Sequence, residues 1–141
     1  MKPVTREMVK IYELRKLGFD FMGYNIHNIN DVSFHHLIVP KRDCKSRGFG
    51  DGYYLWNGAI LVQDTSHDYL HAIERVDREM FGAITQIMIQ QNLNGKLDLE
   101  SLRKIRDILI LFEREHDRDT VGKGKGRRLI KPSYIQDRIK L

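Results

Sequence analysis

The sequence predicts an α+β domain with little strand. Three observations carry that reading. Two short β-branched runs, at 32–39 and 59–62, flank a Gly-containing loop. A long stretch from Thr65 repeats apolar residues at helical spacing, and a second such stretch follows Asp98 after a short turn. The length of 141 residues is that of one domain, and 41% hydrophobic with 30% charged residues is a globular composition.

Taken in order, residues 5–17 read as a helix. Thr5 is placed to cap it, Met8, Ile11, Leu14 and Leu17 follow at helical spacing, and Gly18 stands past its end. Residues 19–31 are a loop rich in Asn and Gly. Val32-Ser-Phe-His-His-Leu-Ile-Val39 reads as a strand stopped by Pro40. Residues 40–52 form a polar loop with Gly48, Gly50 and Gly52. Residues 59–62 read as a second strand entered through the turn dipeptide Asn57-Gly58.

A helix capped by Thr65 or Ser66 then runs to about Gln91, with Leu70, Ile73, Met80, Phe81, Ile84, Ile87 and Met88 as its apolar stripe. Thr65 and Asp68 have capping-box spacing. After a turn at 92–95, Asp98 caps a helix to about Glu115 with Leu99, Leu102, Ile105, Leu109 and Phe112 inward. The short connection makes 66–115 an antiparallel helical hairpin. Residues 1–116 form one domain, and 117–141 form a C-terminal tail.

That tail is basic. It holds eight Lys and Arg against three Asp, whereas residues 1–116 hold 16 of each sign, so the whole net charge of +5 resides in the tail. Basic arms bind nucleic acid because Lys and Arg release counterions from phosphate. The alternative is a solvated tail that aids solubility. Cys44 stands alone, so no intramolecular disulfide and no Cys-based zinc finger can form, as suits a reducing cytoplasm. No run of about 18 apolar residues occurs, which excludes a membrane helix. Charges at Glu7, Lys10, Glu13, Arg15 and Lys16 interrupt the start, which is unlike a secretory signal.

Four of the six histidines fall in pairs. His35 and His36 are neighbours on a strand and point to opposite faces. His67 and His71 lie four apart on a helix and project from one face, a spacing that can grip a divalent ion. One of the strand pair can supply a third ligand. The zincin pattern is excluded, since Asp68 rather than Glu follows His67. His27 reads as a loop residue, His116 as a helix C-terminal residue favoured by the dipole, and Cys44 as a spectator. Tyr53, Tyr54 and Trp56 either stack on bases or pack the loop on the body. Gly122-Lys-Gly-Lys-Gly126 lacks the strand and spacing of a phosphate loop.

Three blocks in order resemble the HNH endonuclease motif, the ββα-metal fold: Phe34-His35-His36-Leu37-Ile38-Val39-Pro40-Lys41, then Trp56-Asn57-Gly58-Ala59-Ile60-Leu61, then Ser66-His67-Asp68-Tyr69-Leu70-His71. The match covers residues 33–72 and is most similar to small HNH proteins of bacteria and their phages, with a His-rich metal site like that of the toxin DNases. The resemblance implies a ββα-metal motif with an N-terminal helix and a C-terminal helical hairpin. It implies that His35, His67 and His71 hold one divalent ion, that His36 is the general base, and that Asn57 braces the ββ loop through backbone hydrogen bonds.

The implied activity is hydrolysis of DNA phosphodiester bonds, which needs a base such as His and positive charge beside the phosphate and the leaving oxygen. Lys41, Arg42 and Arg75 are candidates to add to that charge. Lys123, Lys125, Arg127 and Arg128 would grip the DNA backbone. The metal is one of Mg, Mn, Ni or Zn: three imidazoles favour the softer ions, whereas the family often works with Mg or Mn. The protein is expected in the cytoplasm and off the membrane. One site cuts one strand per event, so double-strand cleavage would favour a homodimer.

The chain departs from the family in lacking Cys-x-x-Cys pairs and a Gly-Gly after the first strand, and Asn57 lies 21 residues beyond His36. Two other classes fit the same residues. One is a non-cleaving module that binds nucleic acid or protein, and the other is a purely structural zinc site.

Overall fold

A computed structural model describes residues 1–116 and 137–141 of the chain. Helix α1 (Pro3–Ile11) opens on proline, whose fixed φ and missing N–H suit a first helical turn. Thr5, the expected cap, instead lies buried within the helix. The expected single helix over 5–17 is broken: Glu13 takes a left-handed φ of 52° before α2 (Leu14–Leu17). The break has a packing reason. Met8 and Leu14 stand about 120° apart around a straight helix, yet both are fully buried, while Ile11 and Leu17 are exposed.

Strand β1 (Val32–His36) pairs antiparallel with β2 (Gly58–Val62), from Val32 opposite Val62 to His36 opposite Gly58. The first strand is thus shorter than its sequence pattern. Beyond His36, the amides of Ile38 and Val39 bond the Asn57 side chain instead of a neighbouring strand. The loop at 40–52 contains a helical turn, α3 (Lys41–Cys44). Asn57-Gly58 is not a two-residue hairpin turn. Asn57 ends a 3-10 turn at Leu55–Asn57, and Gly58 begins the strand, where a Cβ would run into the Phe34 ring.

A π-helical turn at Gln63–His67 leads into α4 (Asp68–Val76). The capping box expected of Thr65 and Asp68 does not form; the Thr65 hydroxyl is buried without a hydrogen bond. The long helix is also broken in two. Asp77 adopts an extended conformation, and its carboxylate accepts from the Met80 amide to cap α5 (Arg78–Asn94). Gly95 ends α5 at φ 70°, and Asp98 caps α6 (Leu99–His116) by accepting from the Ser101 amide at 2.7 Å. His116 at the end of α6 meets Asp77 before the start of α5 at 2.8 Å, so the hairpin is formed by α5 and α6 and is antiparallel. Leu102, Ile105, Leu109 and Phe112 are buried as expected, but Leu99 is half exposed.

The sheet, α1, α4, α5 and α6 enclose one core containing Met8, Leu14, Phe21, Ile60, Leu70, Ile73, Ile84 and Phe112. The last residues of the presumed tail belong to this body. The Asn25 amide donates to the Asp137 carbonyl, and the Ile139 amide donates to the Gly23 carbonyl. Arg138, counted with the tail's cations, is buried, donates to the Leu102 carbonyl and lies over the Tyr24 ring. Among the described residues, no helix is long and apolar enough to cross a membrane.

Candidate metal centre

Three histidines from three elements converge. Alternation along β1 aims His35 away from His36, and α4 together with the π-helical turn before it carries His67 and His71. One ring nitrogen of each lies within 4.8 Å of the others. The His35 and His67 ring centroids are 5.2 Å apart, those of His35 and His71 5.4 Å, and those of His67 and His71 4.8 Å.

Hydrogen bonds orient these rings. The Ser33 hydroxyl donates to the Leu61 carbonyl at 3.3 Å and meets His67 Nδ1 at 2.6 Å. With its proton on Leu61, the Ser33 oxygen accepts from Nδ1–H and leaves the Nε2 lone pair of His67 free. That Nε2 faces His35 Nδ1 at 3.4 Å. Two lone pairs at this separation repel unless a proton or a cation lies between them. A tetrahedral ion with bonds of about 2.0–2.1 Å sets its ligand nitrogens about 3.4 Å apart, so the residues present fit a metal. Glu74 lies 3.5 Å from His71 Nδ1 and can orient that ring.

Burial favours the neutral form of two of these rings, His35 and His67. Burial, reinforced by His67, His71 and His36, holds His35 well below the ordinary histidine value. Burial, with His71 and His36 adding to it, lowers His67 to about 4. Neutral imidazoles are the form that binds metal. The Nε2 atom of His35 is buried and has no hydrogen-bond partner.

His36 stands on the other side of the strand turn but borders the same cleft of about 430 Å³. Its Nε2 lies 2.8 Å from the Asp51 carbonyl. A carbonyl can only accept, so Nε2 carries the proton, and Nδ1 has the lone pair whenever the ring is neutral. Phe34 and Tyr53 hold the ring edgewise at 5.1 and 5.0 Å. Gly52 makes room: with φ 78°, a Cβ there would press on the His36 ring and on Cys44.

Asn57 is fully buried and spans the ββ loop. Its Oδ1 accepts from the Ile38 and Val39 amides at 2.9 and 2.8 Å. Its Nδ2 donates to the Val39 and Gly52 carbonyls at 3.0 and 3.1 Å. One side chain therefore ties the strand end to the loop that carries Asp51 and Gly52.

Lys41 and Arg42 border the cleft with the four histidines. Arg75 is exposed on α4 and is not among the cleft-lining residues, where Glu74 stands instead. Lys123, Lys125, Arg127 and Arg128 lie outside the described residues. Ser33, Glu74, Phe81 and the Asp51 carbonyl were not foreseen. Ser33 had a signal, since it sits two residues before His35 on the same strand face. Asp20 had none. Its buried carboxylate accepts from the Met22, Tyr24 and Val62 amides and from the Ser66 hydroxyl. It thereby fixes the turn that delivers His67. Burial holds Asp20 above the usual carboxylate range despite these bonds.

Comparison of the chain with protein-family models, with curated proteins and with solved structures gave no match.

Proposed function

We propose that this protein is a metal-dependent endonuclease of the HNH type that hydrolyses DNA phosphodiester bonds. One observation carries the reading: a cluster of three converging histidines and a fourth histidine of fixed tautomer border one cleft, with Lys41 and Arg42 at its edge. The two-stranded sheet followed by α4 is the ββα element to which these residues belong.

In this reading His35, His67 and His71 hold one divalent ion, which supplies positive charge for the phosphate and for the departing oxygen. His36 Nδ1 accepts a proton from the attacking water. The water oxygen bonds to phosphorus as the bond to the leaving sugar oxygen breaks. The Asp51 carbonyl holds His36 in the productive tautomer, and Asn57 holds the loop that presents Asp51. Lys41 and Arg42 attract and seat the phosphate. Three imidazoles favour Zn or Ni over Mg.

The test is incubation of the purified protein with supercoiled plasmid and Mg, Mn, Ni or Zn in turn. The expected result is metal-dependent nicking that EDTA and His36→Ala each abolish. Cutting that survives His36→Ala would overturn the assignment of the base. Metal binding without cleavage of single- or double-stranded DNA would replace the nuclease with a non-cleaving module or a structural metal site.

A further inference from the structure

The loop between the two strands exposes an aromatic group that the proposed chemistry does not use. Tyr54 and Trp56 stack nearly parallel, with centroids 5.5 Å apart and planes 8° apart, and each residue remains 43% exposed. Phe49 braces Trp56 edgewise at 5.3 Å, and Arg47 lies over Phe49 at 5.7 Å. Exposed Leu55 joins the two stacked residues in the chain.

Large aromatic residues left this open normally mark a contact surface. Here the rings are held rigid by one another, so a flat partner loses little entropy in docking on them. Charge narrows the partner. The segment 41–56 carries Lys41, Arg42, Lys45 and Arg47 against Asp43 and Asp51, and all four cations are exposed. A flat apolar face beside a cationic rim suits a nucleobase attached to phosphate. Base stacking on aromatics is open to unpaired bases and closed to those within a duplex.

The platform is also continuous with the cleft. Tyr53, the residue before Tyr54, packs on His36, and Lys41 lies over the Tyr53 ring at 5.9 Å. The Asn92 side chain pins the Leu55 carbonyl at 2.8 Å, which fixes the platform to α5.

We infer that Tyr54 and Trp56 form a stacking platform for an unpaired base, which makes single-stranded or locally unpaired DNA the preferred substrate. The substrate assignment rests on the nuclease reading; the binding platform does not. Trp56 is the single tryptophan, so its fluorescence reports on the platform directly.

The experiment titrates the full-length protein with an oligothymidylate and with a duplex of mixed sequence, in EDTA so that nothing is cut. A labelled oligonucleotide gives binding by anisotropy in parallel. The expected result is saturable quenching of Trp56 by the single strand, with duplex binding at least roughly tenfold weaker. Tyr54→Ala, which keeps the reporter, and Trp56→Ala, read by anisotropy, should each weaken single-strand binding by roughly tenfold. Unchanged circular dichroism and melting show that both variants are folded. Binding without quenching, equal affinity for duplex, or wild-type affinity in both variants would overturn the platform. So would self-association abolished by Trp56→Ala, which would make the patch a protein contact. Metal-dependent cleavage of plasmid and of a single strand on the same preparations separates the two readings. Quenching without cleavage of either DNA overturns the nuclease alone, and cleavage without quenching overturns the platform alone.

Discussion

Replacing Asn57 with alanine tests the brace on which the ββ loop depends. The wild-type amide satisfies four backbone groups: the Ile38 and Val39 amides and the Val39 and Gly52 carbonyls. Ile38 is exposed and its amide can turn to water, but Val39 is 1% exposed and Asn57 itself is fully buried. The Gly52 carbonyl keeps the Tyr54 amide at 3.0 Å, so the substitution strands the Val39 amide and leaves the Val39 carbonyl only a long contact with the Cys44 thiol at 3.5 Å. An unsatisfied buried group costs about 1–3 kcal/mol, so the expected loss for two such groups is about 2–6 kcal/mol. That is a large part of the 5–15 kcal/mol that holds a typical domain together. The assay is urea denaturation of the metal-free protein followed by circular dichroism. Ser46→Ala is the control. Its exposed hydroxyl donates to the Asp43 carbonyl at 3.1 Å, and its loss should move stability by no more than about 0.5 kcal/mol. An Asn57→Ala cost under about 1 kcal/mol would refute the reasoning, because water would then be serving the loop as well as the amide does.

Further outcomes follow from other contacts. Ser33→Ala removes the partner of His67 Nδ1 and should weaken metal binding by about 10–100-fold in calorimetric titration, whereas unaltered affinity would deny Ser33 its orienting role. The metal-free protein should lose stability in acid. His67 is held at about 4 in the fold but has the ordinary value of 6.5 when unfolded. Above pH 6.5 both states are neutral and nothing is lost; as pH falls from there toward 4 only the unfolded chain takes up the proton. The loss reaches about 3 kcal/mol by pH 4. Thermal melts at stepped pH should show a flatter profile for His67→Gln, and identical profiles would sink the claim. Asp77→Ala removes the cap of α5 and should cost about 1 kcal/mol, with Asp77→Asn costing less because an amide oxygen can still accept from Met80. Equal losses in urea for the two variants would show that the cap is not the source.

Local pattern in this chain speaks clearly about faces and poorly about bends. Alternation in a strand put Ser33 and His35 on one side and His36 on the other, and helical spacing put His67 beside His71. These are consequences of fixed backbone periods, so His67, His71 and one member of the strand pair were legible from spacing alone, whereas the choice of His35 over His36 rested on the resemblance. Asn57 was legible only through a resemblance, because nothing in its neighbours says that its amide reaches Ile38 and Val39. The apolar stripe from Leu70 to Met88 reads as one helix, yet the chain breaks at Asp77. Periodicity records which residues seek the core, not that a carboxylate will cap the Met80 amide and meet His116 on α6.

Local pattern was enough to give the α+β class and the histidines that could hold a metal ion. How those residues meet depends on contacts between distant parts of the chain. Asp20 and Ser66, 46 positions apart, secure the turn before α4. His35 is sealed in, which keeps it neutral. Arg138 returns from the far end of the chain to lie on Tyr24. Each of these joins groups that become neighbours only when the core closes. Burial then makes an unpaired polar atom costly and leaves the folded chain a single arrangement that satisfies most of them.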